Sequence, residues 1–76
     1  MPKVYTMADI GVIARTRRLE LGMSQEKLAD MSGNGTRFIS ELENGKKTMQ
    51  IAKVLDILHF LGLDISISER STDNEA

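Results

Sequence analysis

Apolar positions recur at helical intervals through four segments of the chain and then switch to strict alternation near its end. Thr6 stands three residues before Asp9, a capping-box spacing, and Ile10, Ile13, Ala14 and Leu21 follow at the helical period. This predicts a first helix over about Met7–Leu21, ended by Gly22. Ser24 can cap a second helix, whose Leu28, Ala29 and Met31 face the core before Gly33 stops it. Lys27 occupies the place of a capping-box acid, so only half of that cap is expected. Gly33-Asn34-Gly35 is a turn by composition, because glycine and asparagine tolerate positive φ. A third helix follows from about Thr36 to Asn44, with Phe38, Ile39 and Leu42 turned inward and Gly45 closing it. Thr48 can cap a fourth, in which Ile51, Val54, Leu55, Leu58 and Leu61 form an apolar stripe that ends at Gly62.

Beyond Gly62 the period becomes two. Leu63, Ile65 and Ile67 alternate with Asp64, Ser66 and Ser68, the pattern of a half-buried strand. The only candidate partner in the chain is the weak Lys3-Val4-Tyr5, and a lone strand leaves backbone groups unpaired. Pairing with the same strand of a second chain, antiparallel across a two-fold axis, is therefore expected. The alternative is an extended tail packed loosely on its own helices. The domain plan is thus 1–62 as the helical domain, 63–69 as the dimerisation strand and 70–76 as a polar tail, disordered from Ser71 onward.

Composition narrows the class. A chain of 76 residues is one domain close to the lower size limit for an unaided core, so help from a partner chain is unsurprising. Cysteine is absent, and no zinc-type ligand cluster is present, which removes disulfides and structural metal as supports. No apolar run approaches the ~20 residues needed to span a bilayer, and no signal peptide is legible. The chain reads as soluble and cytoplasmic. Its net charge of −1 hides an asymmetry: residues 1–53 carry nine Lys/Arg against six Asp/Glu (+3), and residues 54–76 carry one against five (−4). An anionic polymer such as DNA would meet the first part; the alternative is ordinary mixing of surface charge.

The chemically informative stretch is Ser24-Gln25-Glu26-Lys27-Leu28-Ala29, then Gly33, then Phe38-Ile39-Ser40-Glu41-Leu42-Glu43-Asn44-Gly45. Two short helices joined by a tight glycine-bearing turn are the geometry that seats the second helix in the DNA major groove. With Arg17-Arg18 upstream, the stretch resembles the phage-repressor-like (Cro/C1, XRE-type) helix-turn-helix family over about residues 9–61. The resemblance implies an all-α fold, a four-helix lambda-repressor-like domain, here with a short C-terminal strand pairing across a dimer. It implies that Gln25 touches backbone phosphate and braces the recognition helix, and that Arg18 and Glu43 form a buried pair. It also implies that Thr36, Arg37, Ser40 and Glu41 look into the groove.

Among these four, Arg37 can donate two hydrogen bonds to guanine, or else contacts a phosphate. Thr36 can offer a hydroxyl or meet a thymine methyl; Ser40 is short and reaches through water; Glu41 accepts from cytosine or sits at the groove edge. Asn44, Lys46 and Lys47 follow the recognition helix where the family loop grips the backbone, and Lys27 and Arg15 are further phosphate candidates. A lysine pair after a helix also has a purely solubilising reading. Two departures stand out: Asn34 and Gly35 replace the apolar residue and the Ser or Thr cap common in the family, which weakens the start of helix 3.

A narrower resemblance covers the lead-in Lys3-Val4-Tyr5-Thr6, the four helices and Leu63-Asp64-Ile65-Ser66-Ile67, which together look like the HipB-type antitoxins. It implies an autoregulating repressor, a homodimer on a palindromic operator at the bacterial nucleoid, and a HipA-type kinase toxin as partner. The alternatives are a stand-alone regulator without a toxin and an interaction module that has lost DNA binding. An enzyme is not expected, and neither a cofactor nor a metal is called for. His59 is the sole histidine and reads as a partly buried helix residue; Ser40 has no histidine at helix-face spacing to activate it.

Overall fold

The computed structural model describes residues 3–70. Four helices follow in order: α1 (Met7–Glu20), α2 (Gln25–Ser32), α3 (Thr36–Glu43) and α4 (Ile51–Phe60). Their starts obey the local rules written in the sequence. The Thr6 side chain accepts from the Asp9 amide, and the Asp9 carboxylate accepts from the Tyr5 and Thr6 amides, completing the box. Ser24 accepts from the Lys27 amide, and with lysine at that position nothing answers, so the cap is half made as expected. Helix α4 departs from expectation. Its N-cap is Gln50, without a side-chain hydrogen bond, and Thr48 lies outside the helix.

The core is built from Ala14, Leu28, Ala29, Ile39, Leu42, Val54, Ile57, Leu58 and Leu61, with Ile10, Met23, Phe38 and Met49 packed around it. Both α1 and α2 pack on α3, and α2 touches α4. Four expected apolar-face positions lie outside: Leu21 is 44% exposed, Met31 52%, Ile51 60% and Leu55 43%. Ile57, absent from the expected stripe, is fully buried. Helix α4 has a polar edge at Lys53, Asp56 and His59, but its apolar arc is wide enough to offer more than one packing face. Packing selects the face Val54, Ile57, Leu58, Leu61. His59, read as partly buried, stands on the exposed side of the same helix.

Two glycines do conformational work near the motif. Gly33 adopts φ 75° and turns the chain out of α2. Gly45 adopts φ 77° at the end of α3, where its amide donates to the Leu42 carbonyl and the Lys46 amide to the Glu41 carbonyl, a Schellman closure. At the other end of α3, Gly35 supplies no side-chain cap. Its φ of −78° is ordinary and a Cβ there would meet nothing within 4 Å. Gly35→Ser should therefore raise stability by about 0.5–1 kcal/mol, from a new cap bond and lower unfolded-state entropy. A melting curve should move up by a few degrees.

Among the described residues no strand forms. After the Leu63 amide donates to the Leu58 carbonyl at 2.9 Å, residues 64–70 make no backbone hydrogen bond to the rest of the described chain. Leu63 packs on the core, while Ile65 and Ile67 are 50% and 92% exposed. The expected disordered tail from Ser71 lies outside the described residues. No helix among the described residues is long and apolar enough to cross a membrane.

Candidate nucleic-acid interface

Helix α3 buries Ile39 and Leu42 and turns its opposite side to solvent. Thr36, Arg37, Ser40 and Glu41 recur one and four residues apart, so they share that outer face. Thr36 and Arg37 are exposed, and Ser40 and Glu41 are half-exposed. An eight-residue helix with a buried apolar edge and a polar outer face is a ridge that can enter a groove.

What holds this ridge is the ion pair expected from the sequence. The Arg18 Nε donates to Glu43 Oε2 at 2.6 Å and Nη2 to Oε1 at 3.0 Å, a bidentate fork between α1 and the last residue of α3. The third nitrogen, Nη1, donates to the Met23 carbonyl at 2.7 Å in the α1–α2 turn. The side chains are only 8% and 3% exposed. Gln25 joins them, its Nε2 donating to Glu43 Oε1 at 3.0 Å, so the first residue of α2 is braced against the end of α3. Burial pushes the Glu43 carboxyl up, but the Arg18 and Gln25 hydrogen bonds and the Arg18 and Arg15 charges outweigh it, leaving it below its ordinary value. Hydrogen bonding to Glu43 raises Arg18 against the opposing effect of burial. Both groups are therefore charged, and Arg18 is spent on structure.

The outer face has its own network. Arg37, with a side chain 89% exposed, places Nε 3.2 Å from Glu41 Oε2 one turn on, and Lys46 brings Nζ to 3.4 Å from the same oxygen. Burial raises the Glu41 carboxyl, yet hydrogen bonds from Arg37 and Lys46 and their charges lower it further, for a net downward shift. Lys27, Asn44, Lys46 and Lys47 are all exposed. Lys27 lies in the first turn of α2, Asn44 is the C-cap of α3, and the other two lysines follow the Gly45 closure.

Three features of the site escaped the sequence reading. Gly11 of α1 lies against the end of α3 so closely that a Cβ would stand 2.5 Å from the Leu42 carbonyl oxygen and 2.8 Å from that of Glu43. Ala8, one turn earlier, meets Gly45 in the same way. Small residues at positions 8 and 11, three apart on one face, were the signal available. Arg17, neighbour of the buried arginine, donates from Nε to the Leu61 carbonyl at 2.9 Å and so caps the end of α4 from α1. Lys53 of α4 sits over the Phe38 ring at 5.7 Å from its centroid, linking α4 to α3.

Comparison with known proteins agrees with this geometry. A family model described as helix-turn-helix matches residues 15–67. An uncharacterised HTH-type transcriptional regulator, y4mF of Sinorhizobium fredii (strain NBRC 101917 / NGR234), is 48% identical over 65 residues, spanning 86% of each chain. Among solved structures, HipB in complex with an O4 20mer superposes with a TM-score of 0.83 at 22% identity, over 93% of this chain and 100% of that one. A HipA-HipB-O2-O3 complex gives the same score, identity and coverage. These likenesses establish a shared fold with HipB. The family match takes in the motif, the end of α1, all of α4 and Arg18 with Glu43, and with the close curated relative it shows that this chain belongs to the XRE-type helix-turn-helix family of transcriptional regulators.

Proposed function

We propose that this chain is a dimeric, sequence-specific repressor that acts at the nucleoid on a palindromic operator and serves as the antitoxin of a HipA-type kinase toxin. The observation that carries the DNA reading is the open outer face of α3, with Thr36, Arg37, Ser40 and Glu41 presented on a helix whose end is clamped by Arg18 and Gln25. In this reading the face that carries those four side chains enters the groove to meet base edges, while Gln25, Lys27, Asn44, Lys46 and Lys47 hold phosphates. The Gln25 amide nitrogen gives one hydrogen to Glu43 and keeps a second for a phosphate oxygen.

The dimer reading rests on the segment after α4. Leu63, Ile65 and Ile67 keep strand periodicity, yet the last two present bare apolar side chains, and the backbone beyond Leu63 has no partner in its own described chain. Antiparallel pairing with a second copy would satisfy both. One helix-turn-helix reads few base pairs, so linking two of them supplies selectivity. Replacing Ile65 and Ile67 together by Asp should give a monomer in sedimentation and weaken operator binding by about 10²–10⁴-fold, with footprinting on the promoter of its own gene as the readout. An undiminished dimer would rule the strand out.

The antitoxin role is supported by the fold shared with HipB, which has been solved together with HipA. The second reading, a regulator with no toxin, is favoured by the curated relative, which carries only the description of an HTH-type transcriptional regulator. A kinase encoded beside the gene and co-eluting with this chain supports the first; a locus without one supports the second.

A further inference from the structure

We propose that Glu41 is the positioning residue of the reading helix, holding the Arg37 guanidinium by its Nε so that both terminal nitrogens face a guanine, and coupling that reader to Lys46 in the loop behind. This rests on the reading of α3 as the groove-entering helix. Arg37 is 89% exposed and has no packing to orient it. A free arginine in that state loses much rotamer freedom on binding a base. Among the described residues its one partner is Glu41, whose Oε2 takes the Nε at 3.2 Å and leaves Nη1 and Nη2 unengaged. Those two nitrogens match the paired O6 and N7 acceptors of guanine.

The same Oε2 takes Lys46 Nζ at 3.4 Å, and the Lys46 amide is independently held by the Glu41 backbone carbonyl at 3.1 Å. Reader and phosphate-side lysine therefore hang from one residue. Two cations on one carboxylate leave the cluster at +1 (2 − 1), which DNA attracts. A Glu41 that read cytosine directly would have to leave both cations and carry a bare negative charge between phosphates. Holding is the chemistry that the geometry favours over reading.

The test is selection from a randomised duplex library with the full chain, its Glu41→Gln, Arg37→Ala and doubly substituted forms, with melting curves to confirm folding. The unsubstituted chain should prefer guanine at one position per half-site, and Arg37→Ala should remove that preference. Glu41→Gln should weaken the same preference about tenfold while tightening binding to unrelated DNA, and should steepen the log–log salt slope by about one as a cation is released to phosphate. Adding Glu41→Gln to Arg37→Ala should change base preference no further. The proposal is overturned if Glu41→Gln leaves the guanine preference intact. It also falls if that substitution removes preference at a different base pair, which would make Glu41 a reader, or if Arg37→Ala weakens all sequences alike. A chain without preference for any duplex would overturn the DNA-reading function itself, a result separate from these.

Discussion

Glu43→Ala is expected to cost about 3–5 kcal/mol of folding stability, because it leaves the Arg18 guanidinium buried without its counter-charge. A chain of this length has on the order of 4–11 kcal/mol in all, so the variant should be largely unfolded at modest urea. The loss spreads along the network. Gln25 loses the oxygen that braces α2, and Arg18 keeps only the Met23 carbonyl. Replacing both ions, Arg18→Met with Glu43→Leu, should recover most of the stability, since desolvating the pair was itself costly. It should not recover DNA binding fully, because apolar contact does not fix the angle of α3 as a two-pronged fork does.

The same pair predicts an acid limb. Glu43 titrates below its ordinary value near 4.5, so its contribution is present above that value and is lost as pH falls through the lowered one. Urea midpoints taken at a fixed protein concentration should drop below about pH 4.5, and Glu43→Gln should flatten that drop. A variant with an unchanged acid limb would show that the pair does not govern it.

Gly11→Ala is the second substitution expected to act strongly. Alanine favours a helix over glycine by about 1 kcal/mol, and on an isolated α1 it would stabilise. Here the added carbon would stand 2.5 Å from one backbone carbonyl oxygen of α3 and 2.8 Å from the next. Backbone cannot step aside as a flexible side chain can, so α1 and the end of α3 must separate. Overpacking of this kind costs about 1–3 kcal/mol, which outweighs the propensity gain. The displacement falls at Leu42 and Glu43, beside the ion pair and Lys46. Operator affinity should therefore drop even well below the melting temperature. Val12→Ala, at a position of α1 that is 64% exposed, is the control and should leave both affinity and fold intact. Equal behaviour of the two variants in urea titration and DNA binding would refute the close-approach argument.

Much of the fold was legible in order along the chain. The Thr6 box, the half cap at Ser24, the bare start at Gly35 and the glycine stops all involve residues within five positions of one another. Such contacts are specified by near neighbours in the chain, whichever segments pack on them. The Arg18–Glu43 pair spans 25 residues and was reached only through a family resemblance, since no local pattern marks it. The misread face of α4 has a different origin. Ile51 and Leu55 are as apolar as Val54 and Ile57, and an apolar arc wider than one packing face carries no record of which part of it will meet a neighbour.

The candidate site divides along the same line. Which residues lie on the outer face of α3 follows from spacing once the helix is placed, although Thr36, Arg37, Ser40 and Glu41 were reached through the family resemblance. That Glu41 is held by Arg37 and Lys46 was not legible, because an i,i+4 pair of opposite charges is optional and Lys46 reaches it only after the Gly45 turn. That Gly11 is an interface rather than a weak point in α1 was not legible either. Periodicity, caps and turns are set by near neighbours in the chain, and the residues alone determined them. The face α4 buries, the approach of α1 to the recognition helix and the pairing of charges depend on groups brought together from distant segments, so only the packed tertiary structure decided them.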